Sequence, residues 1–304
     1  MKAAVLLINH NWNLSDKKID ITNDITFCNI ENTDIGKLYI KLCKDLNYHE
    51  GEPITQVAIV LNEDIIDHSF FDYHSSDSII SELCNFISIC MSRPLPRYDL
   101  LCSADNFNTV SSNPIEIHYE YDLYENLIGP SLNTILSTID RTFEYSYSIN
   151  EDHIRDIKTC FENYRQLKTN ETRLGNAFSF YFNAWHSRKV DQMCINLAIV
   201  LESLFAPSSN TELIYQISFN ACKFLGRTEN EREKIFALVK KFYGLRSKIV
   251  HGSFPKFEEL NVLTASMFVL CSEILKMLFT DLNLAQIFID ENKREKQIKK
   301  WMFE

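Results

Sequence analysis

The chain has 304 residues, enough for one large or two ordinary domains. A hydrophobic fraction of 45% with 24% charged residues excludes a disordered chain, and seven glycines with seven prolines exclude a turn-dense all-β design. The net charge of -10 argues against a protein that coats nucleic acid non-specifically.

At the N-terminus, Met1 to Ile8 carries one lysine and a short apolar stretch that soon meets His10 and Asn11. A secretory h-region needs more, so no leader is expected. Ile54 to Leu61 is a β-branched apolar run that predicts a strand, and Pro114 to Leu123 alternates Ile115, Ile117, Tyr119 and Tyr121 with polar neighbours, the period of a second strand. Between them, Asp77 to Ser92 has helical spacing in Ile80, Leu83, Phe86, Ile87 and Cys90, with Asp77 as its candidate N-cap. Asp64, Asp67, His68, Asp72 and His74 crowd one polar loop, but their spacing follows no metal motif, and turn chemistry explains them. Nine cysteines occur singly, without a C-x-x-C pair, and read as reduced, small hydrophobes. No metal site and no cofactor site is expected.

From Pro130 onward the pattern is helical. Helices are predicted over Ser131–Phe143, Asp152–Lys168, Leu174–His186, Lys189–Phe205, Thr211–Leu225, Asn230–His251 and Phe257–Phe279, followed by a charged tail. The expected architecture is therefore a mixed α+β N-terminal domain over residues 1-148 and an all-α helical bundle over residues 149-304. Glu273 and Lys276 interrupt the most apolar stretch, Ala265 to Phe279, so a bilayer span is not expected and the protein is placed in the cytoplasm, with no membrane partner.

Charge is unevenly spread. Thr211 to His251 holds eight Lys/Arg against four Glu, hence +4, while the remainder of the chain sums to -14. A local basic surface on an acidic protein suits a phosphate-bearing substrate met at one place, although solvated helix faces explain the charges equally well.

The informative stretch is Lys240-Lys241-Phe242-Tyr243-Gly244-Leu245-Arg246-Ser247-Lys248-Ile249-Val250-His251-Gly252. On a helical wheel Ile235, Leu238, Val239, Phe242, Leu245 and Ile249 form one apolar stripe, and Arg246 projects within it. A guanidinium there must be paired, hydrogen-bonded or placed at a seam. His251 falls at the helix end, because Gly252 can take the left-handed C′ conformation and Pro255 stops the helix. The negative end of the helix dipole favours its imidazolium. A buried salt-bridge partner and an ordinary C-terminal cap remain alternative uses of the two side chains. Upstream, Glu202 is a lone carboxylate on a helix apolar nearly all round (Met193, Leu197, Ile199, Val200, Leu204, Phe205), and Arg246 is its candidate partner.

This stretch resembles the Arg-x4-6-His motif of HEPN domains, and more narrowly the Tyr-x-x-Arg-Ser-x-x-Val-His-Gly core of the ApeA-like HEPN family. The resemblance extends through Ile199-Val200-Leu201-Glu202-Ser203-Leu204-Phe205, Glu212-Leu213-Ile214-Tyr215-Gln216-Ile217-Ser218 and Ala221-Cys222-Lys223-Phe224-Leu225-Gly226, about residues 170 to 280. It implies a helical bundle that dimerises to form a composite site. It further implies metal-independent RNA cleavage to 2′,3′-cyclic phosphate ends, with Arg246 and His251 catalytic. Glu202, Tyr243 and Ser247 would support them, and Lys241 and Lys248 are candidates for phosphate contacts. The expected protein is a toxin-like effector in antiviral (anti-phage) defence, a homodimer acting on RNA, whose N-terminal domain senses a regulatory ligand or protein partner. The alternative is a catalytically silent HEPN dimer that binds RNA or a protein.

Overall fold

The computed structural model describes residues 4–9, 11–12, 19–22, 25–29, 56–61, 79–92, 98–102, 116–119, 148–149, 151–169, 171–187, 189–207, 212–253, 255–301 and 303. The expected helix over Ser131–Phe143, the Asp77 cap and the polar cluster from Asp64 to His74 lie outside them.

Short β-branched and apolar runs in the first 120 residues form strands: β1 (Ala4–Asn9), β2 (Asn11–Trp12), β3 (Ile19–Thr22), β4 (Ile25–Asn29), β5 (Gln56–Leu61), β6 (Tyr98–Cys102) and β7 (Glu116–Tyr119). Six of these make one antiparallel sheet in the order β3-β4-β5-β1-β6-β7. Strand β1 sits inside it, with Leu6 opposite Ile59 on one side and Leu100 on the other. β2 pairs in parallel with β8 (Ser148–Ile149). Ile21, Ile25 and Phe27 are buried, as alternation in a sheet with one covered face requires.

The helices are α1 (Ile79–Met91), α2 (Glu151–Gln166), α3 (Arg173–Trp185), α4 (Val190–Phe205), α5 (Leu213–Leu225), α6 (Glu229–Val250), α7 (Phe257–Thr280), α8 (Leu282–Ile289) and α9 (Glu291–Trp301). The coarse order, mixed strands first and a helical bundle after, holds. The charged tail after Phe279 is itself helical. It is the helix pair α8 and α9, opened by Asp281, which caps Asn283 and Leu284, and by Asp290, which caps Asn292 and Lys293.

The chain forms two compact units: Met1–Cys84, Leu95–Asp122 and Glu144–Lys158 in one, Asn85–Pro94, Leu123–Phe143 and Thr159–Glu304 in the other. In place of one cut near residue 148, α1 and α2 each contribute to both. In the sheet-bearing unit, Lys158 donates to the Asp20 carbonyl from the middle of α2. In the helical unit, the second half of α1 is buried from Asn85 to Met91. Its Phe86 stands 5.0 Å from Phe178 and 5.2 Å from Phe279 between ring centroids. Trp185 Nε1 donates to Asn85 Oδ1, and the Tyr181 hydroxyl bridges Ser88 on α1 and Ser272 on α7.

Helix α4 is the hub of this unit, packed against α3, α5, α6 and α7. Helix α7 satisfies the length and apolarity of a membrane-crossing helix despite Glu273 and Lys276, but 72% of its apolar window is buried here. It serves as a core element. Cys84, Cys90, Cys160, Cys194, Cys222 and Cys271 are buried free thiols.

Candidate functional site

The site is built on the C-terminal half of α6, and its caps explain why the helix runs where it does. Thr228 accepts from the Glu231 amide while the Glu231 carboxylate takes the Thr228 amide, a reciprocal capping box. At the other end Gly252 has φ +76°, Ser253 N donates to Lys248 O and Gly252 N to Ile249 O. These are the two bonds of a Schellman motif, and they leave His251 as the C-cap residue.

Between the caps, Val239, Phe242, Tyr243 and Leu245 face the core. Ile235, Leu238 and Ile249, expected in the same stripe, are only half-buried. Arg246 sits at the stripe's edge with 35% of its side chain exposed, and Glu202 on α4 comes from the other side with 25% exposed. Arg246 Nη2 lies 3.5 Å from Glu202 Oε1. This is a loose pair, at the outer limit of hydrogen-bond reach. Arg246 Nε is buried without a hydrogen-bond partner.

Tyr243 closes the floor. Its hydroxyl donates to the Ala198 carbonyl at 3.1 Å and lies beside Glu202. Burial holds the Tyr243 phenol well above its ordinary range, reinforced by the Glu202 charge. Burial also raises Glu202 above the usual carboxylate value, with the Arg246 guanidinium and the Tyr243 hydroxyl opposing it. About two turns back along α4 from Glu202, the Cys194 thiol is pushed up to about 12 by burial, so it stays protonated and unreactive near neutrality. It leans on the Thr264 hydroxyl of α7, a weak pairing that leaves Thr264 Oγ1 without a partner of normal geometry. Sequence reasoning missed Cys194, Thr264 and the Ala198 carbonyl. Helical offset from Glu202 could have suggested Cys194 and Ala198, which share α4 with it, but nothing local points to Thr264 on α7.

The remaining candidates divide. Ser247 is half-buried and its carbonyl accepts the His251 amide. Lys248 is exposed in the last turn, where its charge suits the dipole. Lys241 lies 3.7 Å from Glu259, an exposed pair of small energetic weight. His251 is exposed, beyond the end of the helix, whereas Arg246 turns into the groove with α4. Five helical positions separate them by about 140° and roughly 7.5 Å along the axis. One chain therefore offers the two groups on different aspects of the same helix end.

Chemically, the guanidinium keeps most of its donors uncommitted at an accessible edge, a fit for an anionic oxygen pair. An exposed imidazole nearby can move a proton. Among the described residues no group of three or more His, Cys, Asp or Glu is arranged to hold a metal ion. No family model, no curated protein and no solved structure matches this chain, so the site rests on its own geometry.

Proposed function

We propose that this chain is a metal-independent endoribonuclease of HEPN type. The observation that carries the reading is a half-buried, loosely paired Arg246 on the same helix end that presents an exposed His251. The ordered resemblance from Ile199 to Gly252 supports it. In this scheme His251 takes the proton of a ribose 2′-hydroxyl as its oxygen attacks the adjacent phosphorus. The bond to the 5′-oxygen breaks and that oxygen takes up the proton His251 removed, directly or through water, leaving a 2′,3′-cyclic phosphate and a 5′-hydroxyl. Arg246 stabilises the charge that builds on the non-bridging oxygens.

Since one chain turns the two groups apart, the reading includes a homodimer whose copies complete a composite site. Exposed Val250 and Phe257 bracket His251 in the sequence and suit such a seam. The cytoplasmic, toxin-like defence role and the sensing role of the N-terminal region belong to the same proposal and rest on the resemblance alone.

The test is cleavage of total cellular RNA by the purified chain in EDTA, comparing wild type with Arg246→Ala and His251→Ala. The expected result is cleavage that survives EDTA, leaves cyclic-phosphate ends and falls about 10²- to 10⁴-fold in each variant. Cleavage abolished by EDTA, or unchanged in His251→Ala, overturns the mechanism. RNA binding without cleavage by the wild type supports the silent binding dimer in its place.

A further inference from the structure

Away from the Arg246 groove, the α5–α6 hairpin carries a surface that the catalytic scheme does not use. Helix α5 places Tyr215, Phe219 and Lys223 at intervals of four, one stripe of a helix. Tyr215 is 54% exposed and Ile214 beside it 42%. The Tyr215 and Phe219 rings lie nearly parallel, 13° between planes with centroids 6.3 Å apart, and the Phe236 edge meets Tyr215 at 5.5 Å from α6. Lys223 Nζ stands 5.6 Å over the Phe219 ring. One turn beyond Phe236 on α6 is the exposed Lys240.

Burial does not explain an arrangement like this. A tyrosine with more than half its surface in water, held by two aromatic neighbours, is a rigid flat platform with little rotamer entropy left to lose on binding. Of the cations at its border, Lys240 is exposed and Lys223 is half-buried over the Phe219 ring, on a chain of net charge -10. Glu212 and Glu233, both exposed, lie one helical turn from Tyr215 and Phe236 and offset part of that positive charge. The local field is therefore modest, and stacking has to supply most of the affinity. That combination matches single-stranded nucleic acid, whose bases stack on aromatics irrespective of sequence while a few lysines meet phosphates. It fits a double helix poorly, since paired bases offer no face.

We infer that Tyr215, backed by Phe219 and Phe236 and bordered by Lys223 and Lys240, is a base-stacking site for single-stranded RNA. Its Phe236 and Lys240 lie on α6, the helix that carries the cleavage groups, with Phe236 roughly 15 Å along the axis from Arg246. This deepens the ribonuclease reading and rests on it. The substrate class becomes an unpaired segment gripped a few nucleotides from the bond that is cut.

The experiment measures anisotropy of a short, labelled single-stranded RNA built of 2′-O-methyl riboses, which bind but cannot be cleaved by 2′-oxygen attack. Tyr215→Ala is expected to weaken binding about five- to a hundredfold, and Tyr215→Trp to retain it with quenching of the new indole. With two lysine–phosphate contacts, log affinity should fall with log salt at a slope of about −1.4. Tyr215 is exposed, so neither change threatens the core. If wild type binds and cleaves RNA while Tyr215→Ala binds equally well, the stacking site is wrong and the nuclease reading stands. If Tyr215→Ala instead breaks a dimer in sedimentation with RNA affinity unchanged, the patch is a contact between copies and the inference fails. If wild type neither binds nor cleaves RNA, the ribonuclease reading falls and takes the stacking site with it.

Discussion

Glu202 is the residue whose chemistry is most exposed to test. Its carboxylate is 3.5 Å from Arg246, and burial raises its proton affinity above the ordinary glutamate value of 4.5. Among the described residues Glu202 is the carboxylate paired with the guanidinium, so Glu202→Gln should leave the fold intact and lower RNA cleavage about tenfold, the size of one lost charge-assisted contact. The same variant separates positioning from simple damage through pH. A carboxyl with a raised folded-state value favours the folded state most below the ordinary value, and that contribution is lost as pH rises through the folded value. Glutamine does not titrate. Melting temperatures of the two proteins should therefore converge toward pH 4.5, and Glu202→Gln should gain on wild type as pH approaches neutrality. Melting curves that run parallel across that window would mean the carboxylate is not under the burial stress described. Arg246→Ala should widen the effect, because the guanidinium is the charge that opposes the rise.

Among the elements, α9 shows how a charged segment can be structural. Arg294 is fully buried, with Nη1 donating to the carbonyls of Leu204 at 3.2 Å and Ala206 at 2.9 Å, and Nη2 held by Glu291 at 2.7 Å. It closes the C-terminal end of α4, one turn after Glu202. Arg294→Ala removes both donors and leaves a void, and should lower stability by about 3 kcal/mol in urea unfolding, with Arg294→Lys recovering part. An unchanged midpoint would show that the α4 carbonyls find other partners. The helix was not legible from its sequence, because Glu291 to Trp301 is dominated by charges, and only the spacing of Arg294, Ile298 and Trp301 marks a buried face. By contrast, the C-terminal end of α6 could be read from Gly252 and Pro255, since left-handed backbone and a missing amide are local properties. The strands fall between these cases. β5 and β7 announced themselves by β-branching and alternation. β1 and β6 are short apolar runs whose identity comes from partners far along the chain. At the site, Arg246 within an apolar stripe was visible as an anomaly, whereas its 3.5 Å partner could only be guessed from an equally isolated carboxylate on another helix.

For the molecule as a whole, the consequential feature is where α1 belongs. Its periodic and nearly continuous apolar residues say that it is a buried helix, but no local signal says against what. Its partners Phe178, Tyr181 and Trp185 lie about a hundred positions later in the chain. A division at residue 148 would assign it to the N-terminal region, whereas its second half fills the helical unit between Phe161, Phe178 and Phe279. A fragment of residues 149–304 should consequently fail to give a cooperative native state, bind hydrophobic dyes and aggregate. The buried residues of α1 outweigh the few kcal/mol by which most domains are stable. The full chain allows a finer version of this test. Phe86→Ala, which removes the ring between four aromatic neighbours, should cost about 3–5 kcal/mol in unfolding of the helical unit. A soluble 149–304 fragment melting as sharply as the whole protein would refute this assignment of α1. If the assignment holds, loss of the proposed RNA cleavage on N-terminal truncation would reflect a missing core helix, so the proposed regulatory role is tested only by substitutions in the sheet that leave α1 in place.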